Sequence, residues 1–364
     1  MRRSVPRPGA PLAAIRTASQ MAGQAARLLA LALALAACRS STAPEEPPGG
    51  RERPENPWGA SFGAGATDSA RTPRALALAA DAGIGWVRFM FGYSRIATAP
   101  GVYRYEIWDA MVAATQGEGI QILGQLGMAS AWNTTAPPGD PDPIIYPPRD
   151  YDAWAEYVAR TVARYPQIRY WEVWNEPDLP GYWRGSPAQY ARLLATAYAA
   201  VKRANPEAKV LLGGLALGGR LVDPDFLDEI LADPSYPATR SFDIANIHVY
   251  GSRQEAERRF AYVRAALARA GAGDRPIWVT EAGYPSDPAD QNDPAYVGPA
   301  GQAAWLRDRL PYLRELGAEK VFWFKLHDSE SGPGAVEKSF GLLDGALRPK
   351  PAYDAYRELI ARRG

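Results

Sequence analysis

The chain has 364 residues, is 47% hydrophobic and carries 11 Trp and 19 Tyr, so it can bury one large core or two smaller ones. Its formal net charge of +1 removes the electrostatic case for a nucleic-acid or acidic-surface partner. A single cysteine, Cys38, excludes internal disulfides.

Arg2, Arg3, Arg7, Arg16 and Arg27 precede the apolar run 28–37. That run is too short to span a bilayer but suits the apolar centre of an export signal. Leu35-Ala36-Ala37-Cys38 resembles a bacterial lipobox. The resemblance implies that Cys38 becomes the lipidated first residue of a mature protein anchored in the cell envelope, on the periplasmic or outer surface. An ordinary signal peptide with an incidental cysteine is the alternative, and Met21 is an alternative start of translation. Residues 39–57 are rich in Pro, Gly, Glu, Ser and Arg and nearly free of apolar side chains. They cannot bury enough surface to offset the entropy of ordering, so they read as a tether. Trp58 opens the globular sequence, 58–364, which contains no further linker and suits a single domain.

From there strand-like and helix-like runs alternate. The predicted strands are 58–66, 85–91, 119–126, 170–177, 209–215, 242–250, 276–284 and 320–326. The predicted helices are 74–82, 106–117, 151–165, 187–204, 225–231, 254–270, 302–316 and 351–362. Ser186-Pro187 has the N-cap and N1 arrangement of a helix start. Almost every strand is a continuous apolar run, as expected of parallel strands buried on both faces. A doubly wound sheet is the structural alternative, but no Gly-rich phosphate loop follows the first strand. The expectation is a (β/α)8 barrel, with chemistry at the C-terminal strand ends.

Two of those ends carry glutamates. Tyr170-Trp171-Glu172-Val173-Trp174-Asn175-Glu176-Pro177 closes the fourth strand, and Trp278-Val279-Thr280-Glu281-Ala282-Gly283-Tyr284 closes the seventh. From 176 to 281 is 105 residues, about three strand–helix units. Apolar neighbours disfavour the charged form of a carboxyl, which is what a general acid near neutral pH requires.

The pair Trp-Asn-Glu-Pro and Thr-Glu-Ala-Gly-Tyr resembles the retaining glycoside hydrolases of clan A, in the branch of family 39 and the cellulase-like family 5. The resemblance runs from Trp58 to the C-terminus. It implies Glu176 as acid/base, Glu281 as nucleophile, a carbohydrate substrate, no cofactor and a monomer. It further implies that Asn175 bonds the sugar 2-hydroxyl, that Arg88 supports the carboxylates, that Tyr250 bonds the nucleophile and that Trp323 floors the sugar site.

From the residues themselves, Glu172, Trp174 and Glu176 share one face by the two-residue period, and an inward Glu172 requires a cation, for which Arg88 is the best placed. Asn246, His248 and Tyr250 share a face of the sixth strand, with His248 either a satisfied core residue or part of the pocket. His327 is the only other histidine, so no metal cluster is expected. Lys325 and His327 follow Trp323 on the same side. Trp132, Tyr146, Tyr182, Trp183 and Tyr284 fall in predicted loops, two of them long and Pro-rich, and are possible sugar platforms. Within chemistry, a transglycosidase on the same residues is the alternative. A catalytically inactive carbohydrate-binding barrel and a cell-wall scaffold are the alternatives from other classes.

Overall fold

The computed structural model describes residues 56–62, 71–218, 221–328 and 338–362. The export signal, Cys38 and the tether as far as residue 55 lie outside the described residues. The strands are β1 (Trp58–Ser61), β2 (Trp86–Gly92), β3 (Gln121–Gly127), β4 (Tyr170–Asn175), β5 (Lys209–Gly214), β6 (Ala245–Val249), β7 (Ile277–Ala282) and β8 (Ala318–Phe324). Interleaved with them are α1 (Thr72–Asp81), α2 (Glu106–Gly117), α3 (Tyr151–Arg164), α4 (Pro187–Ala204), α5 (Phe226–Leu231), α6 (Arg253–Arg269), α7 (Gly298–Glu315) and α8 (Pro351–Ala361).

All the strand pairings of this sheet are parallel, each strand beside its neighbour in sequence, and β8 returns to β1. Bridges from Leu211 to Ile244 and from Leu215 to Ile247 close the ring between β5 and β6. The chain is therefore a single (β/α)8 barrel, as the alternation of apolar runs implies. One insertion had no counterpart in the sequence pattern. A short helix, Tyr93–Ile96, and a small antiparallel hairpin, Ala97–Ala99 with Val102–Tyr103, separate β2 from α2.

Local chemistry sets the helix starts. Ser186 and Ser252 each form a reciprocal capping box, with Gln189 and Glu255 respectively, at the heads of α4 and α6. The predicted seventh helix begins four residues early, at Gly298, with a proline in its first turn where a missing N–H has no consequence.

The barrel interior is filled in layers. Trp86, Leu123, Leu211, Ile244, Trp278 and Phe322 form a dry plug at the N-terminal end. The Trp278 ring lies edge-on to Trp86 at 5.4 Å and stacks on Tyr170 at 5.0 Å. Two residues beyond Trp86, Leu123, Ile244 and Trp278 of the plug, and beyond the Tyr170 packed against it, come Arg88, Gln125, Asn246, Thr280 and Glu172, all buried. Apolar packing thus ends where a buried polar layer begins, and that layer supports the site above it.

Candidate active site

Arg88 is the centre of the polar layer. Its Nε and Nη2 donate to the two oxygens of Glu172 at 2.6 and 2.9 Å, its Nη1 donates to Glu281 Oε1 at 2.6 Å, and Nη2 also reaches Asn175 Oδ1 at 2.9 Å. Burial works against the guanidinium charge, but Glu172 and Glu281 outweigh it and raise the pKa above the ordinary arginine value. Glu172, wholly buried, also accepts from the Gly214 N–H at 3.1 Å. The fork geometry satisfies two carboxylates with one cation, a task for which lysine is unsuited.

Glu281 reaches this cation through an irregularity. On the strict two-residue period Trp278 and Thr280 face the barrel interior, and Glu281 would face out. The β6–β7 register runs Ile247 to Val279 and then His248 to Glu281, and the β7–β8 register shifts over the same residues. One extra residue, a β-bulge at Thr280, re-aims the next side chain into the barrel. Thr280 secures the bulge by donating to Asn246 Oδ1 at 2.9 Å. Tyr250 then donates to Glu281 Oε2 at 2.7 Å. Burial alone would push the Glu281 carboxyl up. The charges of His248 and Arg88 and the Tyr250 hydrogen bond outweigh it, holding the group below its ordinary 4.5 and ionised.

On β4 the distortion is in the backbone. Trp174 and Glu176 both have positive φ, 75° and 41°, a left-handed conformation that costs a non-glycine residue of order 1–3 kcal/mol. The shared face expected for Glu172, Trp174 and Glu176 is therefore broken. Trp174 turns outward against Trp154 and Trp183, its indole N–H donating to Tyr182 O at 2.9 Å, and Asn175 and Glu176 both come to the cavity. Burial of the large indole and its hydrogen bond hold the strained turn in place.

His248 Nδ1 lies 2.8 Å from Glu176 Oε1 and 3.5 Å from Glu281 Oε2. Burial opposes an imidazolium here, but Glu281, with the hydrogen bond and charge of Glu176, raises the ring above the ordinary 6.5. One oxygen of Glu176, one of Glu281 and a His248 nitrogen all lie within 4.8 Å of one another. Sequence reasoning did not expect such a grouping of metal-ligand types. Arg88, 2.6 Å from Glu281, already supplies the positive charge a cation would bring.

The cavity above these groups has a volume of about 420 Å³ and opens between the ends of β1 to β4 and β6 to β8. Arg88, Asn175, Glu176, Tyr250 and Glu281 all line it. The family model of Cellulase (glycosyl hydrolase family 5) matches residues 51–326, most of the chain. The chain belongs to this cellulase family. It is 26% identical over 236 residues to a β-xylosidase of Caldicellulosiruptor saccharolyticus, an alignment covering 59% of this chain and 47% of the relative. A β-xylosidase of Geobacillus stearothermophilus is 30% identical over 129 residues, 32% of this chain and 24% of the relative. The chain thus spans less than half the length of these curated relatives. Among solved structures, a monomeric β-xylosidase from Caulobacter crescentus CB15 matches with a TM-score of 0.66 at 21% identity, covering 84% of this chain and 68% of that one. A family 39 glycoside hydrolase from Bacteroides cellulosilyticus WH2 matches with a TM-score of 0.63 at 24% identity, covering 84% and 63%. Family 5 and its family 39 neighbours place the chain in glycoside hydrolase clan A.

Several aromatic residues singled out in the sequence stand elsewhere in this clan A barrel. Trp323 is fully buried on the outer face of β8, packed at 5.9 Å against Trp305 of α7, with its N–H on Phe340 O at 2.9 Å. Phe324, the next residue and in phase with the inward Phe322, faces the cavity instead. The period counted from the plug residues would have selected it. Trp183 is buried between Trp174 and Tyr190, and Trp132 packs on Tyr93 with its N–H on Ala97 O at 2.8 Å. Tyr284 stacks on Trp305, and Tyr146 donates to Asp140. Of the five loop aromatics only Tyr182 lines the cavity. Lys325 is buried beside the Phe324 ring, and His327 packs edge-on to Phe62. Sequence reasoning missed Gln125, whose amide donates to Asn175 Oδ1 at 3.1 Å and Trp174 O at 3.2 Å. A polar residue in an apolar strand, in phase with Leu123, was the available signal.

Gly214 connects these parts, since a Cβ there would lie 2.1 Å from His248 Nε2. Gly214→Ala is expected to displace the imidazole from Glu176 and lower kcat/KM by about tenfold or more, with the fold retained by circular dichroism. Unchanged kinetics would mean that the ring has room to move without consequence.

Proposed function

We propose that the chain hydrolyses a β-glycosidic bond by double displacement with retention, Glu281 as nucleophile and Glu176 as acid/base. The separation of the two carboxyl groups carries this reading. One oxygen of each carboxyl lies within 4.8 Å of the other, which fits the roughly 5–5.5 Å spacing of retaining enzymes and falls short of the roughly 6.5–9.5 Å of inverting ones. In the first step Glu281 Oε2 or Oε1 bonds to the anomeric carbon as the glycosidic C–O bond breaks, and Glu176 gives its proton to the departing oxygen. In the second, Glu176 takes a proton from water, whose oxygen displaces Glu281 and regenerates the carboxylate. Asn175 has its Oδ1 occupied by Arg88 and Gln125, so its amide N–H groups point to donation, with the 2-hydroxyl as acceptor. His248, bonded to Glu176, orients the acid/base. The relatives named β-xylosidases make β-xylosides the first substrates to test. Product sizing after incubation with a panel of β-glycosides and polysaccharides tests the reading and separates hydrolysis from transfer. A purified, folded protein that cleaves none of them would contradict it.

The pH profile follows from the charges around Glu281. The nucleophile works as a carboxylate and is held below 4.5, so kcat/KM is expected to persist through that pH and to fall as pH drops through the lower, folded value. Tyr250→Phe removes a hydrogen bond that favours the ionised form, so the acid limb is expected to move to higher pH. An acid limb that stays in place would show that Tyr250 does not set it.

We further propose that the mature protein is anchored through Cys38 in the cell envelope, on the strength of the lipobox-like Leu35-Ala36-Ala37-Cys38. Mass spectrometry of protein from membranes is expected to find a diacylglyceryl-modified Cys38 at the N-terminus. A freely soluble mature chain starting beyond Cys38 would contradict this.

A further inference from the structure

Among the described lining residues, charged and amide side chains gather only at the floor of the cavity. Arg88, Gln125, Asn175, Glu176, Tyr250 and Glu281, with Ser61, gather at the anomeric end. Above them, the described lining consists of Met90, Met128, Ile144, Phe324 and Phe340, with the Tyr182 ring. These residues come from five separate places in the fold, so the apolar character is not an accident of one loop.

The wall is also tied together by hydrogen bonds and ring contacts. Ile144 O accepts from Ala129 N at 2.8 Å, the Arg184 N–H donates to Ile145 O at 2.8 Å, and Tyr182 O accepts from Trp174. The loops after β3 and β4 are thereby tied to each other and to the strained turn that presents Glu176. Across the cavity, Phe324 and Phe340 pack edge-on to each other at 6.0 Å and to the Tyr250 ring at 6.3 and 6.1 Å. Both walls are prebuilt, and neither offers a side-chain amide, carboxylate or charged group among the described residues.

A sugar hydroxyl held against Met90, Met128 or Ile144 would lose water and gain no partner, a penalty that selects against a fully hydroxylated group on that side of the cavity. An apolar group would displace water from Met, Ile and Phe side chains at a gain proportional to its area. We infer that the substrate carries an apolar group immediately beyond the C1–C2 edge of the reacting sugar. That group is an alkyl or aryl aglycone on the leaving side, or a deoxy, O-methyl or O-acyl substituent on the sugar itself. The inference rests on the glycosidase reading above and narrows its substrate class.

Two series assayed with the full-length protein, on the sugar it cleaves best, test it. The first holds the sugar constant and lengthens an alkyl aglycone from methyl through butyl to octyl, which leaves leaving-group acidity nearly unchanged. The second holds the aglycone constant and compares the parent sugar with its 4-deoxy and O-acetyl forms. At least one series is expected to raise kcat/KM by about tenfold or more. A rise in the first assigns the wall to the aglycone, and a rise in the second assigns it to the sugar. Ile144→Asn is expected to flatten the rising series, and Ile144→Leu to preserve it, which separates apolar contact from a general packing defect. Turnover with both series flat would overturn the inference and leave the glycosidase reading intact. No turnover of any glycoside would overturn that reading, and this inference with it.

Discussion

Glu281→Gly is expected to lower turnover of a β-glycoside by roughly 10⁴-fold or more, because the group that forms the covalent intermediate is gone. The variant keeps Arg88 paired with Glu172 through two hydrogen bonds, so it is expected to fold. Its vacated space lies directly above a guanidinium, and a small anion such as azide can enter there. Azide is then expected to restore cleavage of an activated substrate and to yield the inverted α-glycosyl azide. Glu176→Ala is expected to behave differently. With a good leaving group the first step proceeds without protonation, and azide attacks the intermediate to yield the β-glycosyl azide with retention. Chromatography and proton NMR of the azide products read both outcomes. Opposite stereochemistry in the two variants would exchange the roles of the glutamates. Unimpaired hydrolysis by both would remove the site from catalysis.

Arg88→Met is expected to damage stability as well as activity. It leaves Glu172 fully buried with its charge opposed by no cation, a loss of about 3–5 kcal/mol in chemical denaturation at neutral pH. It also removes one of the charges that hold Glu281 ionised, so the surviving activity is expected to lose its acid limb at higher pH than the parent. In the parent, the Glu281 carboxyl sits lower when folded than when unfolded. Its contribution to stability is therefore present above about 4.5 and lost as pH falls through the folded value. Adding Glu172→Leu to Arg88→Met removes the orphaned charge and is expected to recover much of the stability without recovering activity. If Arg88→Met alone unfolds at the parental denaturant concentration, the buried network is not what holds the floor of the site.

The architecture was legible because parallel strands buried on both faces write themselves as apolar runs, and because Gly, Pro and Ser mark the helix ends. The two glutamates were legible from their motifs at strand ends, and the Arg88–Glu172 pair from the cost of burying Glu172 alone. What the period of two could not supply was the departure from it. The bulge at Thr280 and the left-handed turn at Trp174 aim Glu281 and Asn175 into the cavity, yet the distorted positions are Thr280, Trp174 and Glu176, residue types that do not announce a departure from the strand. The family resemblance placed Trp323 at the sugar site, whereas the phase set by Phe322 selects Phe324. The loop aromatics were misjudged for another reason. Loops in this barrel fold back and build their own packing, so Trp183 and Tyr284 are core residues outside regular structure and Trp132 is half-buried against that core. Gln125 and the apolar wall come from residues ordinary in isolation, whose meaning lies in their convergence.

The central claim is that Glu176 and Glu281 act together in a retaining double displacement. Proton NMR during hydrolysis of a β-glycoside by the purified protein tests it most directly, before the product mutarotates. The first hemiacetal to accumulate is expected to be the β-anomer, with the α-anomer growing in later as the solution equilibrates. An α-anomer that forms first would mean a single displacement by water, and would contradict the assignment of Glu281 as nucleophile.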